Sequence, residues 1–348
     1  MNTVLVVATS RKTRGGITSV IKAHETGSQW RKFGCEWIET HVDGSLFQKV
    51  SFFLKGLFQF MRKIKRADIV HIHMAAVERK MPFVWLTKVY NKPLIIHLHF
   101  PDPMTTVYNP TKAWRYRWCL KRADRVIALS HSWKDLLGRE WGIRNIDVIY
   151  NPCPDISPAP TYNALSESPY ILYAGNLSDR KGYRDLMEAF ARVKDRMVGW
   201  TIKFAGNGEL ENARILACQL GITESVEFLG WINGDKKDRV FRNASVYCLP
   251  SYAEGFPMGV LDAWAYHVPV ITTPVGGLPE ILVDGRNALS FTPGDIVGLS
   301  ECLLKITDFK TRTVLSHGAE DLSTGIFNVD TINRQVGALY NNLVSSKK

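Results

Sequence analysis

Short apolar runs alternate with longer amphipathic stretches along the first half of the chain. The runs resemble strands covered on both faces and lie at Val4–Ala8, Glu36–Thr40, Asp68–His73, Leu94–Phe100, Arg125–Ser130 and Asp147–Tyr150. The stretches between them have helical length, for instance Ile17–Phe33, Lys49–Arg66 and Thr111–Ala123. This alternation predicts a parallel sheet with helices on both sides.

A proline-rich segment then interrupts the pattern. Five prolines stand at positions 152, 154, 158, 160 and 169, so neither a helix nor a central strand can run through it. Beyond it the alternation restarts, with strand-like runs at Tyr170–Asn176, Thr201–Ala205, Val226–Leu229, Ser245–Leu249 and Pro269–Thr272, and with helical stretches at Val297–Lys305 and Val329–Leu343. The pattern predicts an α/β protein of two Rossmann-like domains joined by a linker.

Length and composition agree with two soluble domains. The 348 residues are 45% hydrophobic and 22% charged, which excludes a disordered or fibrous chain. The N-terminus lacks the pattern of a secretory signal, and no apolar run approaches the roughly 18–20 residues that cross a bilayer. Six scattered cysteines without a CxxC pair argue against a structural zinc site and predict a reducing, cytoplasmic location.

The charge is distributed unevenly between the two halves. Residues 1–155 carry a net charge of +13, whereas residues 156–348 carry −2. Such an excess favours an anionic partner: nucleic acid, phospholipid headgroups or a phosphorylated substrate. No RNP-type aromatic motif, zinc finger or DNA-reading module is evident, which counts against nucleic acid.

Glycine-bearing turns follow several predicted strands, at the sheet edge where open parallel sheets bind ligands. Gly15 and Gly16 follow the first strand, and four such turns follow strands in the second half, at Gly175–Gly182, Gly206–Gly208, Glu254–Gly259 and Gly276–Glu280. Each turn alone could be structural, and no GxGxxG fingerprint is present. Together they favour a phosphate-bearing ligand held by backbone amides and helix N-termini.

Two His-x-His pairs end neighbouring predicted strands, at His71/His73 and His97/His99. Period-two spacing places both histidines of a pair on one sheet face. A zinc or iron site is one alternative, but no further ligand cluster accompanies the pairs in the sequence. They are otherwise core histidines, or one of them donates a hydrogen bond to a substrate.

With these motifs in order, the sequence resembles the retaining family-4 glycosyltransferases of GT-B fold. The resemblance rests on Gly15-Gly16, the strand ending at His99, the Gly-x-Leu-x-x-x-Lys-Gly segment, and Glu254…Asp262 followed by Pro-Val and Gly-Gly. It implies two Rossmann-like domains facing each other across a cleft: 1–155 on the acceptor side and 165–325 binding the nucleotide sugar. It also implies that 326–348 forms a helix packing back on the first domain.

The resemblance further implies metal-independent transfer from a UDP-, GDP- or ADP-sugar, with retention at the anomeric carbon. By matching position, His99 and Glu254 are the catalytic residues, Lys181 and Arg180 neutralise the diphosphate, and Asp262 holds the ribose. The remaining donor-binding residues are Gly15, Gly16, Asn176, Trp231, Ile232, Phe256, Met258, Gly259 and Val260. Two residues depart from the family pattern: Asn176 stands where arginine is usual, and Asp262 is one methylene shorter than the usual glutamate.

The expected acceptor is a glycan or a polyprenyl-diphosphate-linked glycan, as in cell-surface polysaccharide synthesis. The stretch 52–66 combines apolar residues near helical spacing with five cations. It is either a core-packing helix or, in addition, a contact with an anionic membrane that would make the enzyme peripheral. A nucleotide-sugar epimerase and a non-catalytic nucleotide-sugar binder remain alternatives, and the sequence does not determine the oligomeric state.

Overall fold

The computed structural model describes residues 3–100 and 102–345, so the ends of the predicted domains at Met1, Asn2 and 346–348 lie outside the described residues. The chain divides into two compact units, which we describe separately. The first comprises the chain up to Pro152 together with the chain from Val329 onward, and the second comprises Cys153–Asn328.

Each unit contains a parallel sheet of six strands, as the alternating pattern predicts. The first sheet has the order β2-β1-β3-β4-β5-β6 and the second has the order β12-β11-β10-β7-β8-β9. The strands are β1 Val4–Ala8, β2 Glu36–Glu39, β3 Ile69–Met74, β4 Leu94–Leu98, β5 Arg125–Ala128, β6 Ile146–Val148, β7 Tyr170–Ala174, β8 Thr201–Ala205, β9 Val226–Gly230, β10 Val246–Leu249, β11 Val270–Thr272 and β12 Leu289–Ser290.

Helices connect the strands in both units. They are α1 Gly16–Thr26, α2 Ser28–Lys32, α3 Leu46–Lys63, α4 Met81–Val89, α5 Pro103–Val107, α6 Ala113–Leu120, α7 His131–Trp141, α8 Tyr183–Val193, α9 Leu210–Gln219, α10 Gly234–Arg242, α11 Met258–Ala265, α12 Ile296–Lys305, α13 Phe309–Thr324 and α14 Val329–Ser345. Among the described residues, none of these helices has the length and apolarity that a membrane span requires.

The prediction of one helix over Ile17–Phe33 is wrong, because the chain is extended at Gly27 and separates α1 from α2. A Cβ on Gly27 would lie 2.5 Å from the Asn333 amide nitrogen. A larger residue at position 27 would therefore displace the side chains of Gln29 and Asn333. The apolar side of α14, including Ile332 and Val336, belongs to the core of the first unit.

The strand orders identify where a ligand can enter each unit. In the first sheet β1 lies between β2 and β3, and in the second sheet β7 lies between β10 and β8. Loops leaving the strands on either side of such a switch point diverge and open a crevice at the carboxyl ends. The loops after β1 and β3, and after β7 and β10, are the expected binding loops.

Candidate functional site

In the second unit, the loops after β7 and β10 are joined by close backbone contacts. Gly182 has φ +67°, and a Cβ there would lie 2.0 Å from the carbonyl oxygen of Pro250. The Tyr252 amide donates to the Arg180 carbonyl oxygen at 2.8 Å. Glycine at position 182 therefore lets the short helical turn that carries Arg180 and Lys181 lie against the loop that carries Glu254.

Glu254 is the centre of a charged cluster at this switch point. Its side chain is 8% exposed, and its Oε1 lies 2.5 Å from the Lys181 Nζ and 3.5 Å from the Arg180 Nη1. The Ser251 hydroxyl donates to the same oxygen at 2.8 Å. Two cations thus share one carboxylate, so the cluster keeps a net positive charge that suits a diphosphate.

The second glycine loop fixes the backbone of Glu254. Gly276 has φ +64°, and a Cβ there would lie 2.3 Å from the Glu254 carbonyl oxygen. The Gly277 amide donates to the Gly255 carbonyl oxygen at 2.9 Å. The pair of glycines is therefore explained by contact between two loops of the protein, without requiring that each glycine touch a ligand.

The helix α11 begins directly after this loop. Pro257 is its N-cap, and Met258 is its first residue. Phe256 and Val260 are buried, and the Val260 amide already donates to the Pro257 carbonyl oxygen at 3.1 Å. A Cβ on Gly259 would lie 2.0 Å from the buried Tyr247 hydroxyl, which is a packing reason for glycine at this position.

Asp262 has a partner that the sequence did not reveal. Its Oδ1 lies 2.7 Å from the Lys237 Nζ, which is supplied by α10. Lys237 was missed because 25 residues separate it from Asp262 and no motif marks it. A ribose hydroxyl that binds Asp262 must therefore share this carboxylate with a lysine.

The other predicted donor-binding residues of this unit lie on the same sheet edge. Asn176 is exposed after β7, and its carbonyl oxygen accepts from the Tyr173 hydroxyl at 3.0 Å. Trp231 follows β9 and is 43% exposed, whereas Ile232 is buried.

In the first unit, Gly15 and Gly16 open α1 after β1. Gly15 is the N-cap with φ +143°, a conformation that favours glycine. Within the described residues, a Cβ on Gly15 would meet no atom within 4 Å. The backbone at Gly15 is therefore not covered by other atoms of the described residues.

His99 ends the strand-to-loop segment after β4 and belongs to a group of five histidines, which we call the histidine cluster: His24, His71, His73, His97 and His99. The His73 Nδ1 lies 2.9 Å from the His99 Nε2. Burial, together with the neighbouring His24, lowers the pKa of His99 to about 3. His99 is therefore neutral at physiological pH and can exchange hydrogen bonds without carrying a charge.

Burial also lowers the pKa of the other members of the histidine cluster. His71 and His73 project from β3, and the rings of His97 and His99 follow on β4. Ring centroids of neighbouring members are 4.5–5.6 Å apart. The structure thus joins the two His-x-His pairs into one stack and adds His24 from α1.

Sequence models of known families match both units. The description "Glycosyltransferase Family 4" matches residues 6–154, and "Glycosyl transferases group 1" matches residues 168–308. Together with the two Rossmann-like sheets, these matches decide the family. The chain belongs to the family-4 glycosyltransferases.

Individual relatives of this family-4 glycosyltransferase have known names. Glycogen synthase of Mycobacterium tuberculosis is 25% identical over 253 residues, which are 70% of this chain and 61% of that protein. Lipopolysaccharide 1,6-galactosyltransferase of Salmonella typhimurium is 29% identical over 188 residues, 51% of each chain. The crystal structure of Anabaena Alr3699/HepE in complex with UDP-glucose superposes with a TM-score of 0.77 at 18% identity, covering 98% of this chain and 99% of that one. The latter similarity establishes the GT-B fold.

Proposed function

We propose that the protein is a retaining glycosyltransferase that moves a sugar from a nucleoside-diphosphate donor to a glycan or lipid-linked acceptor. The observation that carries this proposal is the cluster of Lys181, Arg180 and Glu254 at the switch point of the second sheet. Nucleoside diphosphate leaves as an anion, and cations held in place before the reaction stabilise that charge without reorganising.

The three side chains have distinct roles in this proposal. Lys181 is 16% exposed and is held by Glu254, so it presents a fixed charge to the β-phosphate. Arg180 is more exposed and also donates to the Ala253 carbonyl oxygen at 2.5 Å, which leaves further N–H groups for a phosphate. Arg180 thereby supplies the positive charge that is absent at position 176, where Asn176 replaces the usual arginine. Glu254 contacts the hydroxyl groups of the donor sugar.

The remaining donor contacts follow the geometry of the second unit. The amides of Phe256, Met258 and Gly259 lie at the start of α11, where backbone N–H groups attract phosphate oxygens, whereas the Val260 amide donates to the Pro257 carbonyl oxygen. Asp262 binds the ribose and Trp231 the base. Transfer proceeds on one face of the sugar, with the acceptor hydroxyl losing its proton to the departing phosphate, so the product keeps the anomeric configuration of the donor.

The first unit contributes Gly15, Gly16 and His99 to the same reaction in this proposal. Because His99 is neutral, its imidazole exchanges a hydrogen bond with the donor sugar rather than acting as a cation. No step requires a metal ion at the diphosphate, since Lys181 and Arg180 supply the positive charge there. We expect transfer to continue in the presence of a chelator.

Glu254→Gln and Lys181→Met test the assignment, with Glu211→Gln on the exposed surface of α9 as a matched control. Donors are UDP-, GDP- and ADP-sugars, beginning with UDP-glucose, and acceptors are lipopolysaccharide core and polyprenyl-diphosphate glycans. We expect each site variant to lower kcat by about 10²–10³-fold and the control to match the parent. NMR of the product gives the anomeric configuration, and inversion would refute retention.

Two outcomes would replace this proposal with another function. A change of the sugar without any acceptor would identify an epimerase. Donor binding in a thermal-shift assay, together with absence of transfer and hydrolysis for every donor, would identify a non-catalytic binder. Full activity of Glu254→Gln would remove Glu254 from the mechanism.

The acceptor proposal includes an anionic membrane surface, and α3 is the element that supports it. Phe60 and Gly56 of α3 are buried, and the Phe60 ring packs edge-on against Phe83 of α4 at 5.1 Å, which confirms the core-packing interpretation for one face. A second face is apolar yet 41–81% exposed, and consists of Leu46, Phe47, Val50, Leu54, Phe58 and Met61.

The exposed apolar residues of α3 form one stripe. At 100° per residue they fall within an arc of about 120°, and Arg62 and Lys55 lie roughly 40° and 60° beyond one edge of that arc. The Arg62 guanidinium lies 5.7 Å from the centroid of the Phe58 ring. Aromatic and aliphatic side chains flanked by cations are typical of a helix that lies in the surface of an anionic bilayer.

Sedimentation with vesicles tests the membrane contact. Phe47→Ser with Phe58→Ser is compared with Val198→Ser, an exposed valine of the second unit. We expect the parent and the control to bind vesicles containing phosphatidylglycerol but not neutral vesicles, and the double variant to lose binding. Equal binding of all three proteins would exclude α3 as the contact.

A further inference from the structure

We propose that the histidine cluster of the first unit binds one divalent transition-metal ion of the zinc class, through His71, His73 and His97. This proposal does not depend on the glycosyl-transfer reaction. It rests on three features of the cluster: its convergence, its unpartnered nitrogens and the hydrogen bonds behind the ligands.

The three proposed ligands converge because β3 and β4 are neighbours. His73 is directly opposite His97 in the parallel register, and His71 precedes His73 by two residues on the same face. One ring nitrogen from each of the three histidines lies within 4.8 Å of the others. Nitrogens that bind zinc at 2.0–2.1 Å in a tetrahedron are about 3.3 Å apart, so small rotations of the rings bring the ligands together.

Several nitrogens of these rings are buried without a hydrogen-bond partner. The His71 Nε2 and both nitrogens of His97 have none within the described part of the chain. Both residues are at most 1% exposed. Buried polar atoms are nearly always paired in folded proteins. Each exception indicates local strain, a water molecule or a bound ion. Three such atoms on two adjacent rings favour an ion.

The opposite nitrogens of two ligands already have the partners that a metal site requires. The His71 Nδ1 lies 2.7 Å from the Tyr340 hydroxyl, and the His73 Nδ1 lies 2.9 Å from the His99 Nε2. A histidine that binds a metal almost always donates its other N–H to such a partner, which fixes its tautomer and orientation. In both rings this leaves Nε2 for the metal.

His24 lies beside the three ligands, and its ring would have to move closer to them to act as a fourth ligand. Its Nδ1 lies 2.8 Å from the Asn333 Oδ1, which also accepts from the Gln29 side-chain amide. An amide oxygen cannot donate, so the His24 Nδ1 carries the proton and Nε2 keeps its lone pair. That Nε2 has no partner among the described residues. The centroid of the His24 ring lies 6.2 Å from the centroid of the His73 ring and 6.3 Å from that of the His97 ring.

The ligand type selects the class of metal. Neutral imidazoles suit zinc, copper, nickel and iron, whereas calcium and magnesium require oxygen ligands. The same ion would fix His73 and thereby the hydrogen bond that His73 makes to His99.

The experiment uses the full chain without a histidine tag, produced separately in zinc-supplemented and in cobalt-supplemented medium, so that metal is available during folding. Metal content is measured by mass spectrometry after dialysis against a weak chelator. His97→Asn removes a ligand, and His317→Asn is the control because His317 is exposed on α13, outside the cluster. His24→Gln is the second variant in case His97→Asn does not fold.

We expect about one zinc or cobalt per chain in the parent and in His317→Asn, and at least a tenfold lower content in His97→Asn or His24→Gln. X-ray absorption should show imidazole nitrogens at about 2.0–2.1 Å from zinc, and the cobalt protein should show the visible absorption of a tetrahedral ion. A parent with less than about a tenth of an ion per chain under both growth conditions would overturn the proposal. Equal metal content in the parent and the ligand variants would do so as well.

Discussion

Lys80 is a buried lysine whose removal should stabilise the protein. It follows β3, is 5% exposed, and its Nζ donates to the Thr40 hydroxyl at 2.6 Å. Burial, and secondarily the neighbouring Arg79, lower its pKa from the ordinary 10.5 to about 7. Charged Lys80 is therefore costly in the folded protein.

The sign of the pH dependence follows from this pKa. Between pH 7 and 10.5 the unfolded chain binds more protons than the folded one, so the free energy of unfolding rises with pH in that window. From pH 7 to pH 9 this one group should add about 2 kcal/mol. Lys80→Met should gain about 2–3 kcal/mol at pH 7, because the relief of about 4 kcal/mol exceeds the roughly 1 kcal/mol of the lost hydrogen bond.

Urea unfolding at pH 7, 8 and 9, followed by tryptophan fluorescence, measures these differences. Lys22→Met on the exposed surface of α1 is the matched control and should keep the pH dependence of the parent. The reasoning fails if Lys80→Met is destabilised at pH 7 or has the same slope with pH as the parent. A pKa near 10 for the Lys80 ammonium by nitrogen NMR would contradict it independently.

Three further substitutions follow from single contacts. Gly259→Ala should lower the free energy of unfolding by about 1–3 kcal/mol in thermal unfolding, since its Cβ would meet the Tyr247 hydroxyl. Adding Tyr247→Phe should recover part of the lost stability. Full stability of the single variant would contradict the packing argument. Asn333→Ala should cost about 1–3 kcal/mol by calorimetry, because it removes the acceptor of the His24 Nδ1 proton; an unchanged transition would show that water replaces it. Ser251→Ala removes the hydroxyl that donates to the Glu254 carboxylate, which we propose is catalytic, so we expect kcat to fall by about tenfold or more in steady-state assays. An unchanged kcat would show that this hydrogen bond does not contribute to the reaction.

The sequence by itself determined the number of layers and their order. Near-continuous apolar runs such as Val4–Ala8 and Tyr170–Ala174 can be strands only inside a sheet covered on both faces, and prolines between 152 and 169 force a break. It also marked the candidate loops, since glycines after strands are visible without coordinates. These features can be predicted because each depends only on residues that are close together in the sequence.

Only the tertiary structure decided which distant residues share a site. Lys237 on Asp262, Lys181 on Glu254 and His24 beside two strands come from different elements, and nothing in the local sequence around them fixes those distances. The close approach of Gly27 to Asn333 likewise joins residues some three hundred positions apart. Hydrophobic periodicity specifies which face of an element is buried, but it does not specify which other element covers that face. Burial against any apolar surface is favourable, so only shape complementarity and hydrogen bonding discriminate among the possible partners, and both depend on how the elements pack.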